Sequence, residues 1–339
     1  MRKKRATIRD VAKRADVAPI TVSRVVNNSG YVSAGTRQRV ETAILELNYI
    51  PNTLAQSLRY QKTNTITLLV SDITNSFWTT VTRGVEDVCN RHDFNLILCN
   101  TDESQEKLEK YVNLQLERQT DGFLLVPTSD DSQMVMHIIQ NHVPVVVLDR
   151  ALPDVQVSTV RSDSDGGAYQ LTKYLIGLGH RRIGMLSGPE TIFTSEQRVS
   201  GYKRALQEAG IPVDGALIFY AGYTQKAGYE MANHVLSDIQ PAPTALFAGN
   251  NFIAIGILWA LKDLKLRVPE DISLVSFDDL PFDPTHEPFV TVAAQDPYQL
   301  GVSAAERLIQ QIFEQNADAV VDELILPVEI LIRKSCRPI

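Results

Sequence analysis

The stretch Thr7-Ile8-Arg9-Asp10-Val11-Ala12-Lys13-Arg14-Ala15-Asp16-Val17-Ala18-Pro19-Ile20-Thr21-Val22-Ser23-Arg24-Val25-Val26-Asn27 decides the fold of the amino-terminal part of the chain. Thr7 and Asp10 stand at the spacing of a capping box, in which a hydroxyl caps a helix and an acid three residues on reaches back. Ile8, Val11, Ala12 and Ala15 follow at i, i+3, i+4 and i+7, giving one apolar face. Asp16-Val17-Ala18 breaks the pattern, and Pro19 is well placed as the first residue of a second helix. Val22, Val25 and Val26 form that helix's inner face. Asn27-Asn28-Ser29-Gly30 is turn chemistry. Ser33 then caps a third helix to about Leu47, with Val40, Ile44 and Leu47 inward. Two short helices joined by a tight turn in a basic segment fit a helix-turn-helix. On that reading Pro19, Ile20, Thr21, Ser23, Arg24 and Asn27 face the major groove. Thr21 and Ser23 suit phosphates, and the fork of Arg24 suits guanine.

Charge is distributed in the same sense. Residues 1–62 carry 12 Lys+Arg against 4 Asp+Glu, whereas the full 339 residues carry a net charge of −7. A basic module that meets a polyanion is thus joined to a body that does not. Residues 52–58 have the makings of one short helix after Pro51, too short to be stable unless it packs against something.

From Thr65 the pattern changes. Short β-branched runs (Ile66–Val70, Leu96–Cys99, Phe123–Val126, Val143–Leu148) alternate with amphipathic stretches (Val81–Arg91, Glu103–Gln119, Gln133–Asn141). The alternation resumes with Ile183–Ser187, Leu217–Tyr220, Ala245–Ala248 and Ile272–Phe277. Strands alternating with helices predict parallel sheets covered on both faces, here as two similar α/β lobes breaking near residues 160–165. In such folds ligands sit at the carboxyl ends of strands. The positions to watch are Ser71 to Trp78, Asp149-Arg150, Asn250-Asn251 and Phe277-Asp278-Asp279.

Several classes are excluded or disfavoured. No apolar run is long enough to span a bilayer, and the start does not read as a signal peptide. Three cysteines are too few and odd for a disulfide framework, which points to a reducing cytoplasm. There is no phosphate-binding loop, no HExxH and no Gly-x-Ser-x-Gly elbow. The six histidines do not pair at metal spacing, and surface or helix-cap roles are expected for them. Neither an enzyme activity nor a cofactor is expected.

Thr7-Ile8-Arg9-Asp10-Val11-Ala12 and Thr21-Val22-Ser23-Arg24-Val25-Val26-Asn27 resemble the lactose/galactose repressor (LacI/GalR) family. Val32-Ser33-x-x-Thr36-Arg37, Leu47-Asn48-Tyr49-Ile50-Pro51-Asn52, Arg182-Ile183-Gly184, Gly201-Tyr202 and Val268-Pro269-Glu270-Asp271-Ile272-Ser273 continue the match along the chain. The resemblance implies a helix-turn-helix head (residues 1–51), a hinge helix and linker (52–64) and an effector-binding, dimerising α/β body (65–339). That body resembles periplasmic binding proteins. Its first lobe is expected over about 65–161 and 292–324, and its second over about 162–291 and 325–339.

By the same resemblance Pro19, Ile20 and Arg24 match base-reading positions. Thr7, Thr21, Ser23, Asn27, Ser33, Thr36 and Asn52 match positions on backbone phosphate. Leu58, with Ala55 one turn earlier, matches a leucine wedged into the minor groove. Two departures stand out in the head. Ala18 replaces the usual serine cap, and neither Pro19 nor Ile20 offers a side-chain hydrogen bond, so Ile20 is expected to read a thymine methyl group. In the body Phe77 and Trp78 match ligand-walling positions, and Tyr223 matches an aromatic facing the ligand. Arg150, Thr194, Arg198, Asn250, Asp278 and Gln295 match polar contacts. Asn251 stands where the family usually has aspartate, which argues against its touching ligand directly.

The sequence therefore reads as a cytoplasmic, homodimeric repressor that binds a palindromic operator on double-stranded DNA and answers to a small sugar-like effector. The alternatives are the same regulator under a protein or nucleobase co-effector, and a solute-binding protein without DNA function.

Overall fold

The computed structural model describes residues 6–50, 62–281, 287–314 and 321–339. It divides into two units, Met1–Thr63 and Asn64–Ile339. The expectations for Asn52, Ala55 and Leu58 lie outside the described residues.

In the first unit three helices, α1 (Ile8–Ala15), α2 (Pro19–Val26) and α3 (Ala34–Glu46), enclose Val11, Val22 and Val40, which are fully buried. The local signals act as the sequence indicates. Thr7 and Asp10 form a complete capping box on α1, and the Ser33 hydroxyl accepts from the Thr36 amide at the start of α3. Ala18 caps α2 with backbone alone, and Pro19 opens it. The turn after α2 needs left-handed backbone at Asn28 (φ 48) and Gly30 (φ 71), residues that tolerate it. Arg37 of α3 ties the turn down by donating to Asn28 Oδ1 at 3.0 Å.

The second unit holds two six-stranded sheets. In chain order its elements begin with β1 (Thr65–Val70), α4 (Ser76–Arg91), β2 (Asn95–Asn100), α5 (Gln105–Glu117), β3 (Gly122–Leu125), α6 (Gln133–Gln140), β4 (Val145–Leu148) and β5 (Ser158–Ser162). The second half continues with α7 (Ser164–Gly177), β6 (Ile183–Ser187), α8 (Phe193–Glu208), β7 (Ile218–Tyr220), α9 (Gln225–Ser237), β8 (Ala245–Ala248), α10 (Asn251–Asp263) and β9 (Ser273–Phe277). β10 (Thr291–Ala294), α11 (Pro297–Glu314), β11 (Glu323–Leu326) and β12 (Glu329–Leu331) complete it. The first sheet runs β11-β5-β4-β3-β1-β2 and the second β12-β10-β9-β8-β6-β7. Every pairing is parallel except β10 with β12. Central strands such as β3, β4 and β8 are buried throughout, which is why they read as unbroken apolar runs.

Two expectations are corrected. The return to the first lobe is expected at about residue 292, which would split β10. Thr291, Val292 and Ala293 pair instead with Val275, Ser276 and Phe277 of β9, in the second lobe, so the chain crosses after Ala294. β11 lies whole in the first sheet through Leu326, so the last crossing follows it rather than splitting it at 324. The α4 helix also begins at Ser76, five residues before the expected Val81. The Asn75 side chain accepts from the Phe77 amide and caps it there.

Some helices touch backbone to backbone. A Cβ on Gly84 of α4 would lie 2.3 Å from the Tyr298 carbonyl oxygen, and one on Gly301 of α11 would lie 2.1 Å from that of Val81. Gly256 and Gly228 lock α10 to α9 in the same way.

Candidate ligand cleft and nucleic-acid face

Each lobe ends one strand in a matched feature. Asp149 follows β4 and Asp278 follows β9, both buried and both at φ 65. Aspartate is among the few residues that take this left-handed conformation readily. There it turns the chain sharply at the carboxyl end of the sheet.

Arg198, on the second turn of α8, is 3% exposed. It donates to the Gly249 carbonyl at 2.6 Å, and its guanidinium lies 3.9 Å from the centroid of the Phe277 ring. Asp278 accepts from Gln295 Nε2 at 2.5 Å. Burial pushes the Asp278 carboxyl up to about 6, against the opposing pull of Arg198 and Gln295. Burial raises Asp149 as well, with Arg150 and Arg198 pulling it back down. Asp149 adds to the upward push on Asp278, and Arg198 pulls on both, so the aspartates from the two lobes and Arg198 share one electrostatic site.

Around this centre the expected residues take definite places. Trp78 is buried and meets Phe77 edge to face, with ring centroids 4.9 Å apart, on the first turn of α4. The Tyr223 hydroxyl is bonded to Thr194 (3.0 Å) and Ser195 (2.7 Å), and its ring lies against the backbone of Gly188. Asn250 caps α10 through the Ile253 amide. Arg150 is held by Glu103 through both carboxylate oxygens and by the Pro127 carbonyl.

Sequence reasoning missed Glu103 and Ser195. Glu103 follows β2, so the strand-end rule applied to the other loops would have reached it. Ser195 carried no signal beyond adjacency to Thr194. His180 is a further surprise, since a surface or cap role was expected. It is buried, with Nδ1 2.9 Å from Thr244 Oγ1 and Nε2 3.0 Å from Ser273 Oγ. Asn251, expected to be uninvolved with ligand, is fully engaged by Asn75.

Among the described residues, buried side-chain polar atoms without a hydrogen-bond partner occur at Gln115, Arg150, Ser162, Ser187, Arg198 and Gln295. All but Gln115 lie at or just beyond a strand's carboxyl end or on the helix bearing Arg198. Such groups are costly unless something bonds them, and three of them, on Arg150, Arg198 and Gln295, belong to residues paired or coupled with Asp149 or Asp278. No group of three or more His, Cys, Asp or Glu able to hold a metal occurs among the described residues.

In the first unit α2 turns Val22 and Val25 inward and leaves Pro19, Ile20 and Arg24 exposed, Ile20 at 57%. Thr21, Ser23 and Asn27 are half-buried beside them, Asn27 Nδ2 donating to Ser23 Oγ at 3.2 Å. Thr7 is exposed at the start of α1, and Ser33 and Thr36 meet at the start of α3, their hydroxyls 2.9 Å apart. Polar groups at helix amino ends suit phosphate oxygens. An exposed isoleucine beside an exposed arginine is a pattern for base edges.

The two arrangements define a DNA-reading head carried by a two-lobed sensor body, and comparison with known proteins gives the same class. Residues 7–52 match the family described as bacterial regulatory proteins, lacI family. Residues 63–334 match periplasmic binding proteins and the sugar binding domain of the LacI family. The chain is 36% identical over 321 residues to the HTH-type transcriptional repressor PurR of Vibrio vulnificus, covering 94% of this chain and 96% of that one. Among solved structures it is similar to the regulator CelR in complex with cellobiose (32% identity, TM-score 0.74, 98% and 100% of the two chains). It is also similar to the lac repressor dimer bound to operator and the anti-inducer ONPF (27% identity, TM-score 0.85, the same coverage). The chain belongs to the LacI family and is a DNA-binding repressor of it; the family is made up of transcriptional regulators, not enzymes. No helix among the described residues is long and apolar enough to cross a membrane.

Proposed function

We propose that the protein represses transcription as a homodimer on a two-fold symmetric operator, with its grip set by a small, neutral, polyhydroxylated ligand held between the lobes. The observation carrying this reading is the coupled set of Asp149, Asp278 and Arg198, together with buried polar atoms that lack partners on Arg150, Arg198 and Gln295. Carboxylates accept from vicinal hydroxyls, a guanidinium donates to them, and Phe77, Trp78 and Tyr223 supply surfaces for C–H groups.

Charge selects the ligand class. Three carboxylates (Glu103, Asp149, Asp278) stand against two guanidiniums, and both guanidiniums already donate to protein oxygens. With carboxylates in excess a phosphorylated or acidic ligand is disfavoured there, whereas a neutral sugar brings hydroxyls that can accept from the unpartnered Nε–H groups of Arg150 and Arg198. The flat aromatic groups Trp78 and Tyr223 favour a nucleobase as the second reading. Binding energy at the cleft and at the operator is coupled reciprocally, so ligand and DNA each alter the other's affinity by the same factor.

The test is a thermal-shift titration of the full chain with neutral sugars, sugar acids, sugar phosphates and nucleobases. A ligand at 100 times its Kd stabilises the fold by about 2.7 kcal/mol. A neutral sugar is expected to score, and the shift is expected to vanish in Arg198→Ala. Shifts from sugar phosphates alone overturn the charge argument, and shifts from nucleobases alone establish the second reading.

A further inference from the structure

Asn75 and Asn251 meet across the cleft from opposite lobes. Asn75 Nδ2 donates to Asn251 Oδ1 at 3.0 Å, and Asn251 Nδ2 donates back to Asn75 Oδ1 at 3.0 Å. Both side chains are buried. The orientation of the pair is set, because Asn75 Oδ1 also accepts from the Phe77 amide at 3.1 Å. That atom is an acceptor, so its partner across the cleft must offer a donor. Aspartate at 251 has none when ionised, and only an amide completes both bonds. The departure of residue 251 from the expected aspartate is thereby matched to Asn75.

The position of the pair matters as much as its chemistry. Asn75 caps α4, whose first turn carries Phe77 and Trp78. Asn251 opens α10 directly after Asn250, which caps it. The clasp is therefore adjacent in sequence, on both sides, to residues assigned to the ligand. Opening the lobes must break both bonds.

We infer that the Asn75–Asn251 amide pair is an interlobe clasp that biases the ligand-free body toward the closed arrangement and so sets how much of the ligand's binding energy closure consumes. Two neutral hydrogen bonds shift a two-state equilibrium by about tenfold to a hundredfold. A ligand that needs the closed state binds tighter in proportion to the fraction already closed. The effect on ligand affinity rests on the proposed cleft; the clasp itself does not, and its test uses no ligand.

That test is amide hydrogen exchange on the full chain, comparing the native protein with Asn251→Ala and Asn75→Ser, the latter keeping a hydroxyl able to cap α4. Losing the clasp is expected to raise exchange several-fold in residues 71–80 of the first lobe when only Asn251, in the second, is changed. A purely local role for Asn251 raises exchange in α10 alone, and that result overturns the inference. The double variant is expected to exchange no faster in residues 71–80 than either single one, since both remove the same bonds; full additivity also overturns it. Should Asn251→Ala fail to fold, Asn251→Asp sets a carboxylate oxygen against the acceptor Asn75 Oδ1 and is expected to raise exchange in the same segment. No rise there overturns the clasp.

Discussion

Glu103 grips the guanidinium of Arg150 with both carboxylate oxygens, at 2.6 and 2.7 Å, from a loop that lies 47 residues earlier in the chain. The Pro127 carbonyl takes a further bond at 2.7 Å. Burial works against the charge on Arg150, but Glu103 and Asp149 more than offset it and hold the group protonated.

Removing Glu103 leaves the buried Arg150 guanidinium with Asp149 and the Pro127 carbonyl. Glu103→Ala is expected to destabilise the body by about 1 kcal/mol, below the cost of breaking a fully buried pair because the Glu103 side chain is 35% exposed. Urea unfolding of the full chain measures it. Replacing both partners at once, Glu103→Met with Arg150→Met, is expected to cost less than Glu103→Ala alone.

His180 makes stability depend on pH in a definite direction. Burial lowers its pKa below the ordinary 6.5, so the folded chain holds it neutral while the unfolded chain protonates it first. Its contribution is full above pH 6.5 and is lost as pH falls below that value. The urea midpoint is expected to drop between pH 7.5 and 5.5, and to drop less in His180→Gln.

Asp278 acts in the opposite sense. Its carboxyl, pushed by burial to about 6, binds a proton more readily folded than unfolded. Its contribution is full below the unfolded value near 3.8 and is lost as pH rises through about 6. Asp278→Asn, which can still accept from Gln295, is expected to raise the melting temperature at pH 7.5 and to abolish the ligand-induced shift. A variant more stable and unable to bind is the signature of a residue kept for its ligand.

On DNA, Arg24→Ala is expected to cost about 1–3 kcal/mol and to relax preference at one base pair. Ile20→Ala is expected to weaken binding only where the facing thymine has its methyl group. Operators selected from random duplexes, compared with uracil-substituted copies, separate the two. Equal loss on both kinds of site removes Ile20 from base reading.

Where the sequence was legible, the determinants were local. The Thr7–Asp10 box, the Ser33 cap, Pro19 at the head of α2 and the apolar strand runs each act within a few residues. What escaped was partnership. The run Thr291–Ala294 is not read as a strand at all from sequence, and nothing in those four residues names β9, on which they pair. Glu103 with Arg150 and Asn75 with Asn251 pair across 47 and 176 residues, and nothing in either segment names the other. The cleft positions were visible as strand ends, but which of them are already satisfied by the protein was not.

Gly84 and Gly301 bring α4 and α11 together with no side chains between them. At that crossing the helices meet carbonyl against backbone, so α4 cannot move along α11 without first parting from it at the glycines. The end of α4 that carries Phe77 and Trp78 is therefore seated on a helix of the same lobe rather than hung from a loop.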